Sequence, residues 1–124
     1  MKLGPLWVKL QLACGDALAL GPGKAELLAA IGTHGSISAA ARAMGMSYRR
    51  AWMLVDEMNR CFDPPVVETL RGGGQERGAR ITETGAAVIA AYRALEAQAA
   101  TLADHSAYHQ LRDLLRTEPL PPPE

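Results

Sequence analysis

The stretch GSISAAARAMGMSYRRAWMLVDEMN, residues 35–59, decides how the chain folds. It predicts two helices joined by a turn at Gly45. Ser36 or Ser38 can cap the first helix, because either hydroxyl can accept a hydrogen bond from an unpaired backbone N–H. That helix runs to about Met44 with Ile37, Ala40, Ala41 and Met44 inward, and its small residues permit close approach to a neighbour. Gly45 suits a left-handed position, where a Cβ would be strained. Ser47 caps the second helix, which reaches about Cys61 and carries Tyr48, Arg49 and Arg50 in its first turn. Ala51, Leu54 or Val55, Met58 and Phe62 form its apolar stripe. Arg49, Arg50, Met53, Asp56, Glu57 and Arg60 then fall outside the stripe, and Trp52 is expected in or near the core.

A helix N-terminus bearing a hydroxyl and paired arginines suits phosphates and base edges. On a short helix pair with a tight turn, this is the logic of a helix-turn-helix. Downstream, Pro64 and Pro65 end the helical region. Residues 66–71 (VVETLR) read as a strand, residues 72–78 as a glycine-rich loop, and residues 79–82 (ARIT) as the return strand, giving a hairpin with an arginine-bearing tip. Thr82 is expected to cap a long helix with Val88, Ile89, Tyr92, Leu95, Ala99 and Leu102 in one stripe, which needs a partner surface. Leu111, Leu114 and Leu115 suggest one more short helix, and PLPPPE an extended, disordered tail. Upstream, residues 6–14 (LWVKLQLAC) alternate as a half-buried strand does. Residues 15–23 read as a turn-rich connector, and residues 24–34 as a helix stopped by Gly35.

At 124 residues the chain is the size of one domain, with 48% hydrophobic residues but only 5% aromatics. Its net charge is zero, so the total carries no nucleic-acid signal; the distribution does. Residues 36–82 hold seven arginines (42, 49, 50, 60, 71, 77, 80) against five acids (56, 57, 63, 68, 76), a net of +2. Residues 83–124 hold three arginines against six acids, a net of −3. The basic face is small, so a DNA-binding form is expected to be a dimer that doubles it. Cys14 and Cys61 have no CxxC spacing and read as two separate reduced thiols. No secretion leader and no 18-residue uncharged apolar run stand in the chain, so a soluble, cytoplasmic protein is expected.

Residues 35–59 resemble the N-terminal DNA-binding domain of the ModE family of molybdenum-responsive transcription regulators, itself related to the LysR-type winged helix-turn-helix. The likeness is carried by Gly35-Ser36-Ile37-Ser38, Gly45-Met46-Ser47-Tyr48, Ala51-Trp52 and Glu57-Met58-Asn59. The glycines at 72–74 and the Ile-Thr-x-x-Gly step from Ile81 to Gly85 add to it. In element order the likeness covers roughly residues 4–103. It implies a mainly α fold with a small β wing: a winged helix-turn-helix with a long C-terminal dimerisation helix. The corresponding division is residues 1–103 for the DNA-binding domain with its dimer helix, 104–117 for a short helix, and 118–124 for the tail. Members of the family carry a C-terminal part that binds molybdate. Here a short helix and a proline tail follow instead, so the expectation is the DNA-binding part alone.

The expected function is sequence-specific binding of double-stranded DNA by a homodimer on a pseudo-palindromic operator. The expected DNA contacts are Ser36, Ser38, Ser47, Tyr48, Arg49, Arg50, Met53, Arg71, Gln75, Arg77 and Arg80. An arginine bidentate to guanine contributes about 1–3 kcal/mol of base discrimination. No cofactor, metal, membrane or small-molecule site is expected. Nor is catalysis, since no nucleophile–base constellation, HExxH, phosphate loop or GxGxxG stands in a suitable context. Three alternatives stay open: a metal-responsive repressor using His105 and His109, spaced i, i+4; a winged helix that binds an acidic protein; and a LysR-like DNA-binding unit unconnected with molybdenum.

Overall fold

The computed structural model describes residues 1–70 and 78–124. The chain opens with two small antiparallel hairpins, β1 (Lys2–Leu3) with β2 (Leu6–Trp7) and β3 (Leu12–Cys14) with β4 (Ala17–Leu20). Three helices follow: α1 (Pro22–His34), α2 (Ile37–Met44) and α3 (Tyr48–Cys61). A third hairpin, β5 (Val67–Thr69) with β6 (Ala79–Ile81), leads into α4 (Glu83–Ala100), a 3-10 turn (Thr101–Asp104) and α5 (Ser106–Leu114). The fold is mainly α with small antiparallel sheets, as expected.

Local chemistry sets the helix boundaries. Pro22 occupies the first turn of α1, where its missing N–H costs nothing, and Gly35 closes that helix with φ 77°. Ser36 caps α2 by accepting from the Ala39 N–H at 3.0 Å, and Gly45 closes it at φ 68°. Thr82 caps α4 by accepting from the Gly85 N–H at 3.0 Å while donating to the Pro65 carbonyl at 2.6 Å.

Leu27, Leu28 and Ile31 of α1 are fully buried and meet Ala40, Ala41, Ala51, Val55, Met58, Val66 and Tyr92 in one core. Burying such an aliphatic side chain is worth about 1.5–3 kcal/mol, more than an exposed ion pair contributes. The alanines of α2 and α3 leave room for these helices to lie close together. Tyr92 joins the core and spends its hydroxyl on the Leu10 carbonyl at 3.0 Å, which ties α4 to the N-terminal segment.

Several expectations are corrected. The alternating segment 6–14 is not one strand: it divides between two hairpins, and Leu12 is exposed. The connector 15–23 contains strand β4 and the start of α1. The first strand of the third hairpin is shorter than residues 66–71, although the Leu70 N–H still donates to the Gly78 carbonyl at 2.7 Å. Ser38 caps nothing; it lies inside α2. Trp52 is 38% exposed rather than core. Glu57 is half-buried, and of Leu54 and Val55 it is Val55 that is fully buried. On α4 the expected stripe is buried at Tyr92 and half-buried at Val88, Ile89 and Ala99, whereas Leu95 stands exposed; Leu102, also exposed, lies beyond α4 in the 3-10 turn. Both thiols are free, but they are not independent. Desolvation first, and then the neighbouring Cys14 thiol, push the Cys61 thiol above its ordinary value.

Candidate nucleic-acid interface

Ser47 is the N-cap of α3, and its Oγ accepts from the Arg50 N–H at 3.1 Å. That bond satisfies one orphan donor of the first turn and fixes where the turn begins. Tyr48, Arg49, Trp52 and Met53 follow on the outer side, with Tyr48 48% and Met53 62% exposed. Arg49 and Arg50 are exposed, and neither is engaged by a carboxylate among the described residues. The first turn of α3 contains no acid. Its N–H dipoles and two free guanidinium groups therefore add up to a locally positive end.

An open groove of about 340 Å³ runs along this face, lined by Ser47, Arg49, Arg50, Met53, Leu54, Asp56, Glu57 and Arg60. At its far end Arg60 donates to Asp56 at 2.9 Å, and the Asp56 bond and charge raise the Arg60 pKa further. Arg60 is thus committed within its own helix, unlike Arg49 and Arg50.

Behind the groove, the ammonium of Lys24 donates to the Glu57 carboxylate and to the Leu18 carbonyl, so α1, β4 and α3 meet on one buried cation. Asn59 clamps the other side. Its Oδ1 accepts from the N–H groups of Val66 at 2.9 Å and Val67 at 3.1 Å, and its Nδ2 donates to the Val67 carbonyl at 3.0 Å. Together these contacts hold α3 as a rigid element with its N-terminus free.

The expected site residues separate into three groups. Tyr48, Arg49 and Met53 stand exposed on the outward side of α3, and Ser47, Arg49, Arg50 and Met53 line the groove beside it. Ser36 and Ser38 are not part of it: the Ser36 hydroxyl is used as a cap, and the Ser38 hydroxyl is buried without a hydrogen-bond partner. The third hairpin lies beside the start of α2, where the Ala79 N–H donates to the Gly35 carbonyl at 2.9 Å. Its Arg80 is exposed but paired across the strands with Glu68, at 3.1 and 3.2 Å to one carboxylate oxygen. Arg71, Gln75 and Arg77 lie outside the described residues.

Trp52, Lys24 and Asn59 are the residues that the sequence reading missed. Trp52 was legible, since it sits one turn beyond Tyr48 and so shares its face. Asn59 and the Lys24–Glu57 pair depend on contacts distant in the chain, which leave no local pattern. Of the two histidines at metal spacing, His105 spends Nδ1 capping α5, where it accepts from the Ala107 N–H at 2.9 Å, and His109 stacks at a tilt against Tyr108. No cluster of three or more His, Cys, Asp or Glu able to hold a metal occurs among the described residues. No helix among them is long and apolar enough to cross a membrane.

No family model matches the chain. Homologous proteins are found among curated sequences. The molybdenum-pterin-binding protein MopA of Rhodobacter capsulatus is 42% identical over 92 residues, 74% of this chain and 35% of that protein. The molybdenum transport protein ModE of Azotobacter vinelandii is 38% identical over 88 residues, 71% of this chain and 33% of that protein. The DNA-binding transcriptional dual regulator ModE of Escherichia coli K12 is 35% identical over 85 residues, 68% of this chain and 32% of that protein. The chain thus spans about a third of the length of the curated relatives it matches.

Proposed function

We propose that this chain is a winged helix-turn-helix module of the ModE type that binds double-stranded DNA sequence-specifically in molybdenum-related gene control. Residues 1–103 form the DNA-binding unit with its dimer helix, and residues 104–124 follow it. The observation that carries the reading is the free N-terminal turn of α3. It is capped by Ser47, holds no acid, and presents Tyr48, Arg49, Arg50 and Met53 to solvent with the arginines unpaired among the described residues. A rigid helix with such an end fits a major groove, where arginines read guanine and the helix terminus meets phosphate. Supporting this, the E. coli relative is by name a DNA-binding transcriptional regulator.

The hairpin β5–β6 serves as the wing, with Arg71, Gln75, Arg77 and Arg80 on flanking phosphates. α4 and the 3-10 turn after it supply the homodimer contact: Leu95 on α4 and Leu102 in the turn stand exposed in the single chain. Two copies present two recognition helices, so the site is a pseudo-palindrome.

Selection of bound duplexes from a random DNA pool tests this reading. A single enriched motif with two-fold symmetry is expected. Arg49→Ala and Arg50→Ala should each weaken binding to it while leaving the melting temperature unchanged. Failure of the wild-type protein to enrich any sequence refutes the function, and full-strength binding by both variants refutes the site.

A further inference from the structure

The exposed face of α3 contains one contact that neither DNA geometry nor core packing requires. The Trp52 Nε1–H donates to the Tyr48 hydroxyl oxygen at 2.6 Å, between two side chains that both face solvent. The direction of this bond is fixed by chemistry, because an indole nitrogen can only donate. The phenol must therefore accept, and its own hydrogen is left for another partner. No acceptor among the described residues takes that hydrogen. Tyr48 is the first residue of α3, directly after the Ser47 cap and beside Arg49 and Arg50.

We propose that Trp52 is a positioning residue of the nucleic-acid interface: its indole N–H occupies the Tyr48 hydroxyl oxygen and leaves the hydroxyl hydrogen to donate to an acceptor on DNA. The inference rests on the DNA-binding reading of α3. A free tyrosine hydroxyl rotates and can donate or accept, so it discriminates poorly. With one lone pair taken by the indole and its hydrogen left to donate, it suits phosphate oxygens and the acceptor edges of guanine, adenine N7 or thymine O4 better than the amino groups of cytosine and adenine. The ring-to-ring tether also immobilises the Tyr48 side chain before DNA arrives, which lowers the ordering cost of binding.

The test is a double-mutant cycle on the full chain. Dissociation constants are measured on the motif enriched by the wild-type protein, for Tyr48→Phe, Trp52→Phe and the double variant. Both side chains are exposed, so each variant should keep the wild-type melting temperature. Each single change is expected to weaken binding about three- to tenfold, the size of one neutral hydrogen bond. The double variant should bind no more weakly than Tyr48→Phe alone, because Trp52 acts through the hydroxyl that Tyr48→Phe removes. A loss shared equally by all sequences identifies the acceptor as a phosphate oxygen; a preference relaxed at one base position identifies a base edge. Wild-type affinity in either single variant, or losses that multiply in the double, overturns the inference while leaving the DNA-binding reading standing. Failure of the wild-type protein to enrich any motif overturns that reading and the inference with it.

Discussion

Lys24 and Glu57 join the first turn of α1 to the middle of α3 through an ion pair whose cation is only 5% exposed, while its carboxylate keeps contact with water. The ammonium is also held by the Leu18 carbonyl, so β4 shares in the contact. Removing a lysine from water is costly unless it is paired. The pair therefore fixes which way α3 is turned about its own axis, and with it which residues face outward.

The pair makes stability depend on pH in a definite direction. The hydrogen bond from Lys24, and then its charge, hold the Glu57 carboxyl below its ordinary value of 4.5. A carboxylate with a lowered folded-state pKa contributes stability above its unfolded value and loses it as pH falls through the folded one. Glu57→Gln is thus expected to be less stable than wild type at pH 7, with the gap closing as the pH drops below about 4.5. Urea unfolding at a series of pH values measures this; a gap that stays constant down to pH 2 would show that the charge is not the source.

Asn59 acts where α3 hands the chain to the third hairpin. Asn59→Ala leaves two backbone N–H groups and one carbonyl without their partner, a loss of roughly 1–3 kcal/mol if they stay buried. Amide hydrogen exchange localises the effect. The Val66 and Val67 amides should lose protection first, ahead of the α1 core; uniform loss across the chain would mean that the clamp is not local.

Gly85 has a steric role rather than a conformational one. A Cβ there would lie 2.3 Å from the Val66 carbonyl oxygen, a backbone atom that cannot turn aside. Gly85→Ala must therefore displace α4 from the hairpin. We expect a destabilisation of about 1–3 kcal/mol, read as a melting temperature lower by about 3–5 °C per kcal/mol. An unchanged melting temperature would mean that α4 and the hairpin slide apart freely.

The sequence showed most plainly what local chemistry dictates. Ser36, Gly45, Ser47 and Thr82 each mark a boundary that the structure keeps, because capping and left-handed geometry act within one turn. The N-terminal segment was harder. Alternation at Leu6, Val8 and Leu10 looks the same in one strand as in two, and only the hairpin turns tell them apart. Gly15-Asp16, with φ 58° at the glycine, joins Cys14 to Ala17 as a two-residue turn and was the available clue. Residue type points Trp52 inward, whereas its position one turn from Tyr48 puts it outward. The Lys24–Glu57 pair and the Asn59 clamp needed the tertiary fold, since each joins groups that no repeat or spacing connects.

Of the arginines expected at the third hairpin, Arg80 is the one among the described residues, and it is occupied. Its guanidinium pairs with Glu68 across the strands, with both side chains more than half exposed. Such a pair is worth about 0–1 kcal/mol, so a phosphate can displace the carboxylate at small cost. If the hairpin meets DNA as proposed, the exchange still leaves a negative charge facing the duplex. Glu68→Gln is therefore expected to change stability by less than about 1 kcal/mol and to tighten binding to the selected motif. It should also steepen the dependence of log affinity on log salt by about 0.9 for each additional phosphate neutralised. Loss of one repelling charge would by itself give some gain, and Glu68→Gln/Arg80→Ala separates the two causes. If Arg80 is the group released, the double variant loses the gain and returns to the wild-type salt slope or below it. If it keeps the gain, Arg80 takes no part in binding and the hairpin meets DNA through other residues.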